Sequence, residues 1–562
     1  MLSDPGEESP PSLTPQSQSF FEMISNPFIK EFPFVRWHYL LALLAFWIGS
    51  TAWLIVRFRV LDSDSIMYGL PLAFAKGPFS LSVPFLGDYQ PYSAVWGHQW
   101  PGAMWLRGAI FAIVPFSRGL DISILLSLQF ASGLLLGWLV WKSTQSRLAS
   151  LGTFLIVVSD RVIIAGLELH RFETISILSL VLLYVGLTLT SRAKEVAGRG
   201  ARVTSHRWFV VSSLGGFGAA CAHPFAMALA GGILGLGVVD WAILRRRSFA
   251  SVTFPVLGFL AGLGSVALYF WLLPEALEQF RANLALQNSF NGGTRLAFFN
   301  HLRHYHGLGI TLCVGAIVSG CVLLIGWKKA KTPQECWISW TILPLVLSVP
   351  LLFAITRSSN HNYTAFAIPF AALSCGMTAG FLTGRLQPLV GHLPAMGVLV
   401  LAFGFASVYP YRWFVFVKSG MPDFPAEMRA ILTSIPPNTR VFIPPALWSE
   451  ATKDPNREYR LCSLYIASPW KTRLAYESKV YAEAKPGDVL IVDLLPGRQA
   501  DVWGILPTFE RYPPDPDAWK PLFGKTNIIP GAGRHFGYDL GVYHFIGGVW
   551  NPKNSPRSIS GR

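Results

Sequence analysis

Residues 122–141 read ISILLSLQFASGLLLGWLVW, a stretch in which no side chain is charged. About 20 apolar residues are needed for a helix to cross the roughly 30 Å hydrocarbon core of a bilayer. Because backbone groups inside lipid must form hydrogen bonds within the protein, such a stretch predicts a transmembrane helix. Similar stretches occur at 38–56, 149–166, 174–190, 208–222, 225–243, 251–273, 308–327, 337–356, 364–383 and 393–411. The sequence therefore predicts a polytopic α-helical membrane protein with about eleven transmembrane helices.

The composition of the whole chain agrees with a membrane protein. Of its 562 residues, 52% are hydrophobic and 14% are charged, which is more apolar surface than one soluble core of ordinary size can bury. The net charge of +15 is carried by short clusters between the apolar stretches rather than by one basic face. This distribution is typical of membrane topology signals and argues against a nucleic-acid partner.

Basic residues in alternate loops predict which helix ends face the cytoplasm. They lie at Lys142 and Arg147, at 192–207, at 245–247, at 328–331 and at Arg385. With these loops inside, the N-terminal tail 1–36 is cytoplasmic, and the loops 57–121 and 274–307 face outward. The chain after about residue 412 then lies outside, so we expect a transmembrane region 37–412 and an extracytoplasmic domain 413–562.

Residues 413–562 have a different composition, with more Pro, Asp and Lys and with short apolar runs at 441–443, 488–493 and 541–546. Short apolar runs between turn residues are typical of strands, so we predict a small C-terminal α/β domain. Within the loop 57–121, the apolar stretch 101–115 is too short for a span and contains Arg107. This stretch predicts a helix that lies at the membrane interface or re-enters the membrane.

Two carboxylates follow the first predicted span directly, in the stretch 61–68, which reads LDSDSIMY. A carboxylate in a partly dry site can act as general base for a hydroxyl group, and Asp62 and Asp64 are candidates for this role. The alternative is that both residues cap the following helix and neutralise Arg57 and Arg59.

Ionisable residues stand at the start of the fourth predicted span, in the stretch 170–174, HRFET. Charged groups at this depth are costly unless they are paired or functional. Arg171 and Glu173 are therefore either a local ion pair or part of a binding site. At another predicted outer turn, His223 precedes Pro224, and for a lone histidine in such a tight turn we expect a structural role.

Two later clusters carry basic residues. Residues 300–306 read NHLRHYH, so that His301, Arg303 and His304 could bind a phosphate group. An amphipathic interfacial helix is the alternative, and a metal site is the weaker one because no carboxylate or cysteine accompanies the histidines. Residues 357–363 read RSSNHNY, in which Arg357 and His361 could hold an anionic head group. An aromatic and basic interface belt would have the same composition.

These polar clusters fall on one predicted face of the membrane, and their order resembles that in the GT-C superfamily of glycosyltransferases. The likeness is to the bacterial branch related to the protein O-mannosyltransferases and to the aminoarabinose transferase acting on lipid A. In that branch an acidic pair opens the first outer loop, with a tyrosine four residues after the first acid, as in Asp64 and Tyr68.

The resemblance extends to two later spans. In the branch, one span begins with a triplet similar to Arg171-Phe172-Glu173, and a late span begins with a basic residue, Tyr and Pro, as in His361, Tyr363 and Pro369. An outer C-terminal α/β domain is also common there. Two positions differ: Phe172 stands in place of the usual proline, and Ser65 stands in place of the second acid, which leaves Asp62 as a rival to Asp64.

The resemblance implies a multi-pass enzyme of the cell membrane that transfers a hexosyl or pentosyl group from a polyprenyl-phosphate carrier. The acceptor would be a hydroxyl group of a glycan, a lipid or a protein on the extracytoplasmic side. Such chemistry needs a base for the acceptor and cations for the departing phosphate. It allows a divalent metal, which the sequence itself does not indicate, and we expect no other cofactor.

Together with the clusters above, the resemblance predicts the residues of the site. Asp64 would be the base, Arg171, Arg303 and Arg357 would stabilise phosphate charge, and Glu173 and His361 would orient or bind the head group. The predicted catalytic set is Asp62, Asp64 and Glu173, and the predicted substrate-binding set is Tyr68, Arg171, His301, Arg303, His304, Arg357, His361 and Tyr363.

Three other functions compete with this one. A transporter or lipid flippase would carry ionisable residues near the bilayer midplane. The interiors of the predicted spans are almost free of charge, apart from Asp160 and Arg161 toward the end of the third span, which counts against transport. A scaffold that binds envelope partners through its C-terminal domain would not need Asp64. An O-antigen-ligase-like transferase would use Arg and His residues of the loop 274–307 instead.

Replacing the two carboxylates one at a time tests the predicted base. We expect Asp64→Asn to preserve folding and remove sugar transfer, because the amide cannot accept the acceptor's proton, whereas Asp62→Asn should cost much less. Turnover with purified protein and a lipid-linked sugar donor measures both. Equal activity of the two variants and the wild type would contradict the assignment, and a harmless Asp64→Ala with an essential His301 or His304 would favour the ligase-like enzyme.

Overall fold

The computed structural model describes residues 37–58, 68–83, 100–160, 163–164, 171, 173–190, 199–290, 307–330, 332–356, 361–390, 424–443, 447–462, 482–494, 519–522 and 539–547. Met1–Gly49 and Ser50–Arg562 form two separate compact units. The helices of the first two thirds are α1 Trp37–Phe58, α2 Leu70–Ala73, α3 Gly102–Phe111, α4 Arg118–Thr144, α5 Arg147–Ser159, α6 Glu173–Thr190, α7 Arg199–Ala222, α8 Pro224–Ala242, α9 Phe249–Leu272, α10 Pro274–Phe290, α11 Gly307–Gly326, α12 Pro333–Thr356 and α13 Ile368–Val390. Short 3-10 helices at Trp327–Lys329 and His361–Ala367 precede α12 and α13.

Six helices in the described ranges are long and apolar enough to cross a membrane. They are Arg118–Thr144, Glu173–Thr190, Pro224–Ala242, Phe249–Leu272, Pro333–Leu352 and Tyr363–Thr383. Each predicted span from 38–56 to 364–383 falls on a helix, and the last one, 393–411, lies outside the described residues. The chain is thus a polytopic helical membrane protein, and the total of about eleven spans and their sidedness stay predictions.

The third predicted span ends earlier than the sequence indicated. Helix α5 stops at Ser159 because Asp160 adopts an extended backbone conformation. The Asp160 carboxylate then accepts a hydrogen bond from the backbone N–H of Ile163 at 3.0 Å, which caps the following turn. The prediction of one continuous helix over 149–166 was therefore wrong at Asp160, although residues 163 and 164 are helical again.

One charged residue inside a predicted span escaped the sequence analysis. Asp240, near the end of α8, is buried and binds Nε of Arg247 at 2.7 Å. The Arg247 guanidinium also lies 3.9 Å from the centroid of the Trp337 ring on α12. The prediction that only Asp160 and Arg161 place charge inside the spans was therefore wrong. The Asp240–Arg247 pair has no net charge, however, and it lies at the end of α8 rather than at the middle of a span.

Small residues allow the central helices to approach closely. A Cβ atom added at Gly186 of α6 would lie 2.7 Å from the Cβ of Ser212 on α7. On α7, a Cβ at Gly215 would lie 2.7 Å from the Ser179 carbonyl oxygen, and one at Gly216 would lie 2.7 Å from the Pro255 carbonyl oxygen of α9. Because apolar burial does not drive helix association in lipid, such close backbone packing holds α6, α7 and α9 together.

The predicted interfacial stretch contains the ten-residue helix α3, which is too short to span a bilayer. Its Arg107 is fully buried and forms an ion pair with Asp121 in the first turn of α4, with Nε 2.8 Å from the carboxylate. A buried ion pair loses much of its stability when one partner is removed. The Arg107–Asp121 pair therefore fixes α3 at the start of α4.

The described part of 413–562 contains a mixed five-stranded sheet and two helices, which together we call the sheet unit. The helices are α14 Phe424–Ser434 and α15 Trp448–Ala451, and the strands are β1 Arg440–Ile443, β2 Glu458–Leu461, β3 Val489–Leu494, β4 Trp519–Pro521 and β5 Asp539–Phe545. The strand order is β2-β1-β3-β5-β4; β1 is parallel to β2 and β3, whereas β5 is antiparallel to β3 and β4. The three predicted apolar runs coincide with β1, β3 and β5.

The sheet shares a hydrophobic core with the chain segment that follows α1. Buried side chains of the sheet unit, such as Phe442 and Trp448, belong to the same cluster as Tyr68, Leu72 and Met104. The ring of Trp448 lies 5.8 Å from that of Phe116. The sheet unit therefore packs on α2, on α3 and on the segment that begins with Tyr68.

A pair of glycine substitutions tests the close packing of the bundle. We expect Gly215→Val to destabilise the protein by about 1–3 kcal/mol, because the added atoms overlap the α6 backbone. Gly231→Val on α8 is the matched control, since no atom lies within 4 Å of its added Cβ. Thermal unfolding in detergent measures the difference, and equal midpoints for the two variants would contradict the packing.

Candidate functional site

The start of α6 carries a buried ion pair. The guanidinium of Arg171 donates from Nε to Oε1 of Glu173 at 2.7 Å, and its Nη2 lies 2.7 Å from the same oxygen. The two side chains are only 3% and 5% exposed. Glu173 is the first residue of the helix, where a negative charge is favoured by the helix dipole. The sequence left a local ion pair and a binding site as alternatives, and the ion pair is present.

Two tyrosines from distant parts of the chain contact the same arginine. The Cζ atom of Arg171 lies 5.5 Å from the ring centroid of Tyr68 and 5.7 Å from that of Tyr363. Aromatic rings at this distance stabilise a guanidinium through cation–π contact, more strongly when water is excluded. Tyr68, Arg171, Glu173 and Tyr363 thus form one cluster, which we call the Arg171 cluster.

A histidine whose place in the site the sequence analysis missed borders this cluster. The His223 ring centroid lies 4.9 Å from that of Tyr363 and 5.3 Å from that of Phe366. Its Nδ1 accepts a hydrogen bond from the backbone N–H of Phe225 at 3.0 Å, so His223 caps α8 as the expected structural role requires. Because Nδ1 is an acceptor, the proton of the neutral ring resides on Nε2.

The imidazole of His223 is uncharged. Burial and, to a smaller extent, the positive charge of Arg171 lower the pKa of His223 to about 3. A neutral ring beside a guanidinium avoids repulsion between two buried cations. His223 therefore adds no positive charge, which leaves Arg171 as the cation of the cluster among the described residues.

The first turn of α6 also contains polar atoms without hydrogen-bond partners in the part of the chain that the structure describes. They are Oε2 of Glu173 and the hydroxyl groups of Thr174 and Ser176. These three residues are at most 4% exposed. A buried polar group without a partner costs about 1–3 kcal/mol, so such groups indicate a position where a ligand or water binds.

Several residues of the predicted site cannot be placed. Asp62, Asp64, His301, Arg303, His304 and Arg357 lie outside the described residues. His361 begins the 3-10 helix His361–Ala367, which leads into α13 and carries Tyr363. Within the described ranges, no group of three His, Cys, Asp or Glu residues could hold a metal ion. The roles predicted for the six unplaced residues and for His361 stay predictions.

Comparison with known proteins reveals a shared fold. Neither a protein-family model nor a curated protein matches the chain. The crystal structure of ArnT from Cupriavidus metallidurans bound to undecaprenyl phosphate is similar to it, with a TM-score of 0.50 and 12% sequence identity over 90% of this chain and 98% of that one. The apo structure of the same protein gives a TM-score of 0.48 and 12% identity over 90% and 97% of the two chains.

At 12% identity the likeness to the ligand-bound structure shows the fold. The chain has the fold of that ArnT structure, and the fold likeness predicted from the motifs is confirmed.

A double-mutant cycle tests the buried ion pair of the Arg171 cluster. We expect Arg171→Met and Glu173→Leu each to destabilise the protein by about 3–5 kcal/mol, because each leaves one buried charge without its partner. The double variant should lose less unfolding free energy than the sum of the two single losses, because neither buried charge then remains. Thermal unfolding in detergent measures all four proteins, and strictly additive losses would contradict the pairing.

Proposed function

We propose that the chain is a membrane glycosyltransferase that moves a sugar from a polyprenyl-phosphate-linked donor to an acceptor hydroxyl group on the extracytoplasmic face. The observation that carries the proposal is the buried Arg171, which Glu173, Tyr68 and Tyr363 hold at one end of a bundle with the fold of ArnT. That ArnT structure is bound to undecaprenyl phosphate, which makes a lipid phosphate the first ligand to test here.

The reaction exchanges one bond at the anomeric carbon of the sugar. The acceptor oxygen forms a new bond to that carbon while the bond from the carbon to the phosphate oxygen breaks. The acceptor's proton passes to the base, for which we propose Asp64, and the polyprenyl phosphate leaves with the bonding electrons. Negative charge therefore grows on the phosphate during the reaction, and a fixed cation beside it lowers the barrier.

The geometry of Arg171 suits the cation of this reaction. A guanidinium binds phosphate through paired N–H donors and remains charged when it is buried. The two tyrosine rings and Glu173 fix its position before a ligand arrives, so that little reorganisation is needed. The low exposure of the cluster strengthens every charge interaction within it.

Two neighbours of Arg171 have proposed supporting roles. Glu173 orients the guanidinium and offsets part of its charge, so that the site tolerates the release of the lipid phosphate. The uncharged ring of His223 packs against Tyr363 and Phe366 and so helps to hold the Tyr363 ring beside Arg171. We further propose that Arg303, Arg357, His301, His304 and His361 bind the donor head group, as their sequence clusters indicated.

Transport is less well supported than catalysis. The buried Asp240–Arg247 pair is an ionisable pair within the helical region, but it stands at the C-terminal end of α8 rather than near the centre of a span. It is also covered by Trp337, whose ring stacks on the guanidinium. These contacts favour a role in stability, because a substrate pathway would place such groups near the bilayer midplane.

Binding of a lipid phosphate tests the proposal. We expect native mass spectrometry to detect undecaprenyl phosphate on the wild-type protein and about tenfold less on Arg171→Gln, because a charge-assisted hydrogen bond is lost. Lys329→Gln removes the same charge from an exposed position in another part of the chain and should bind like wild type.

Two outcomes would contradict the proposed function. If the Arg171→Gln and Lys329→Gln variants retained equal amounts of undecaprenyl phosphate, Arg171 would not be a phosphate-binding residue. Retention by wild type that does not exceed that of an ordinary phospholipid would favour a transporter or a scaffold. The folded fraction of each variant is measured alongside, so that loss of binding is separated from loss of structure.

A further inference from the structure

The Asp240–Arg247 ion pair lies at the end of α8, against the start of α12. Arg247 is 2% exposed, and two of its three guanidinium nitrogens have partners. Nε binds Asp240, and Nη1 donates to the Leu187 carbonyl oxygen and lies 3.5 Å from Oγ1 of Thr190. The guanidinium stacks on the Trp337 ring, and its third nitrogen, Nη2, has no partner among the described residues. Arg247 thus joins α6, α8 and α12 and still offers N–H donors.

Three further N–H donors stand on the first turns of α12. They are Nε2 of Gln334 and Nε1 of both Trp337 and Trp340, and each is buried without a hydrogen-bond partner in the part of the chain that the structure describes. Residues three apart are neighbours on a helix, and the Trp337 and Trp340 ring centroids are 5.4 Å apart. Because an unpaired buried donor destabilises a protein, these groups indicate that an acceptor binds beside them.

One acceptor in the same place also has no partner. Oδ1 of Asp240 is buried and unpaired among the described residues, while Oδ2 binds Arg247. A complementary ligand therefore accepts hydrogen bonds from several N–H groups and donates at least one to a carboxylate oxygen. A phosphate group alone meets only the first requirement, because the carboxylate repels it. A phosphate group next to a primary ammonium group meets both.

The charges around these groups favour a phosphate at the start of α12. Gln334 lies in the first turn of that helix, where the helix dipole attracts negative charge. Arg246 adds a positive charge there. Its guanidinium donates to Sγ of Cys336 and lies 5.1 Å from the ring centroid of Trp327, and neither contact neutralises its charge. The start of α12 therefore suits the phosphate, whereas the carboxylate oxygen suits the ammonium group.

The site lies at the level of a membrane surface. Pro224–Ala242 and Pro333–Leu352 are both long and apolar enough to cross the membrane, and the ion pair joins the end of the first to the start of the second. Ile243 and Phe249, on either side of the basic loop 244–248, are 71% and 63% exposed. Basic groups between transmembrane helices bind lipid head groups at this depth, so a membrane lipid is the source of ligand that fits this position.

We propose that this site binds the phosphoethanolamine head group of a membrane lipid. The phosphate oxygens accept hydrogen bonds from Arg247, Gln334 and the two indoles, and the primary ammonium group donates to Oδ1 of Asp240. Trp340 is only half-buried, so the head group reaches the site past its ring. The bound lipid holds the end of α8 against the start of α12. The inference does not depend on the glycosyltransferase proposal, because no residue of the Arg171 cluster takes part.

Lipid-dependent thermal stability tests this site. A ligand that binds only the folded state raises the unfolding midpoint with its concentration. We expect the midpoint of the delipidated wild-type protein in detergent to rise with added phosphatidylethanolamine. It should change much less with phosphatidylcholine, whose ammonium group has no N–H, and with phosphatidylglycerol, which has no ammonium group. The comparison of the three lipids therefore tests the ammonium contact.

Two conservative variants test the donors. Trp337→Phe keeps an aromatic ring beside the Arg247 guanidinium, and Gln334→Met removes the amide with little change in volume. For each, the phosphatidylethanolamine concentration that gives half of the shift should be about tenfold higher. Trp105→Phe is the matched control, because it removes an indole N–H from α3 that also has no partner among the described residues, and it should respond like wild type. Without lipid, Gln334→Met should unfold no earlier than wild type, because an unpaired buried donor is removed.

Three results would overturn the proposal. Equal stabilisation by the three phospholipids would show that the head group is not recognised. An equal response of the Trp337→Phe and Trp105→Phe variants to phosphatidylethanolamine would exclude the α12 donors from the site. Full stabilisation by soluble glycerophosphoethanolamine at the same concentration would assign the site to a soluble molecule and not to a lipid.

Discussion

The buried positive charge of Arg171 is the interaction on which the candidate site depends. A guanidinium removed from water needs a counter-charge and aromatic or polar neighbours, and here they come from three separate parts of the chain. Glu173 supplies the charge, while Tyr68 and Tyr363 supply the aromatic faces. Satisfying this one charge brings together the segment after α1, the start of α6 and the 3-10 helix before α13.

The sheet unit is coupled to the same cluster through a common core. Tyr68 belongs both to the Arg171 cluster and to the hydrophobic core that contains Phe442 and Trp448. Ile175, two residues after Glu173, packs against that core as well. A displacement of the sheet unit would therefore disturb Tyr68 and the first turn of α6 together, so the sheet unit helps to hold the site as well as covering this end of the bundle.

The sequence predicted much of the helical architecture because the thickness of a bilayer sets the length of a spanning helix. It also grouped Tyr68, Arg171 and Tyr363 on one face through a topology based on basic loops, and both tyrosine rings do lie beside the Arg171 guanidinium. Their role as a substrate site stays a prediction. It did not predict where α5 ends, because the capping bond of Asp160 is local geometry that an apolar pattern does not record. It did not predict the pairing of Asp240 with Arg247, because Arg247 lies beyond the predicted span. The nearness of His223 to Tyr363 is a contact over 140 residues, and short motifs carry no signal for it.

A structure of the protein in lipid nanodiscs with undecaprenyl phosphate bound would test the central claim most directly. The account predicts a phosphate whose oxygens lie about 3 Å from the Arg171 guanidinium, between the rings of Tyr68 and Tyr363, while Glu173 keeps its contact with Nε. A phosphate bound elsewhere, with the Arg171 cluster unchanged and closed to the ligand, would contradict the account and reduce the cluster to a structural ion pair.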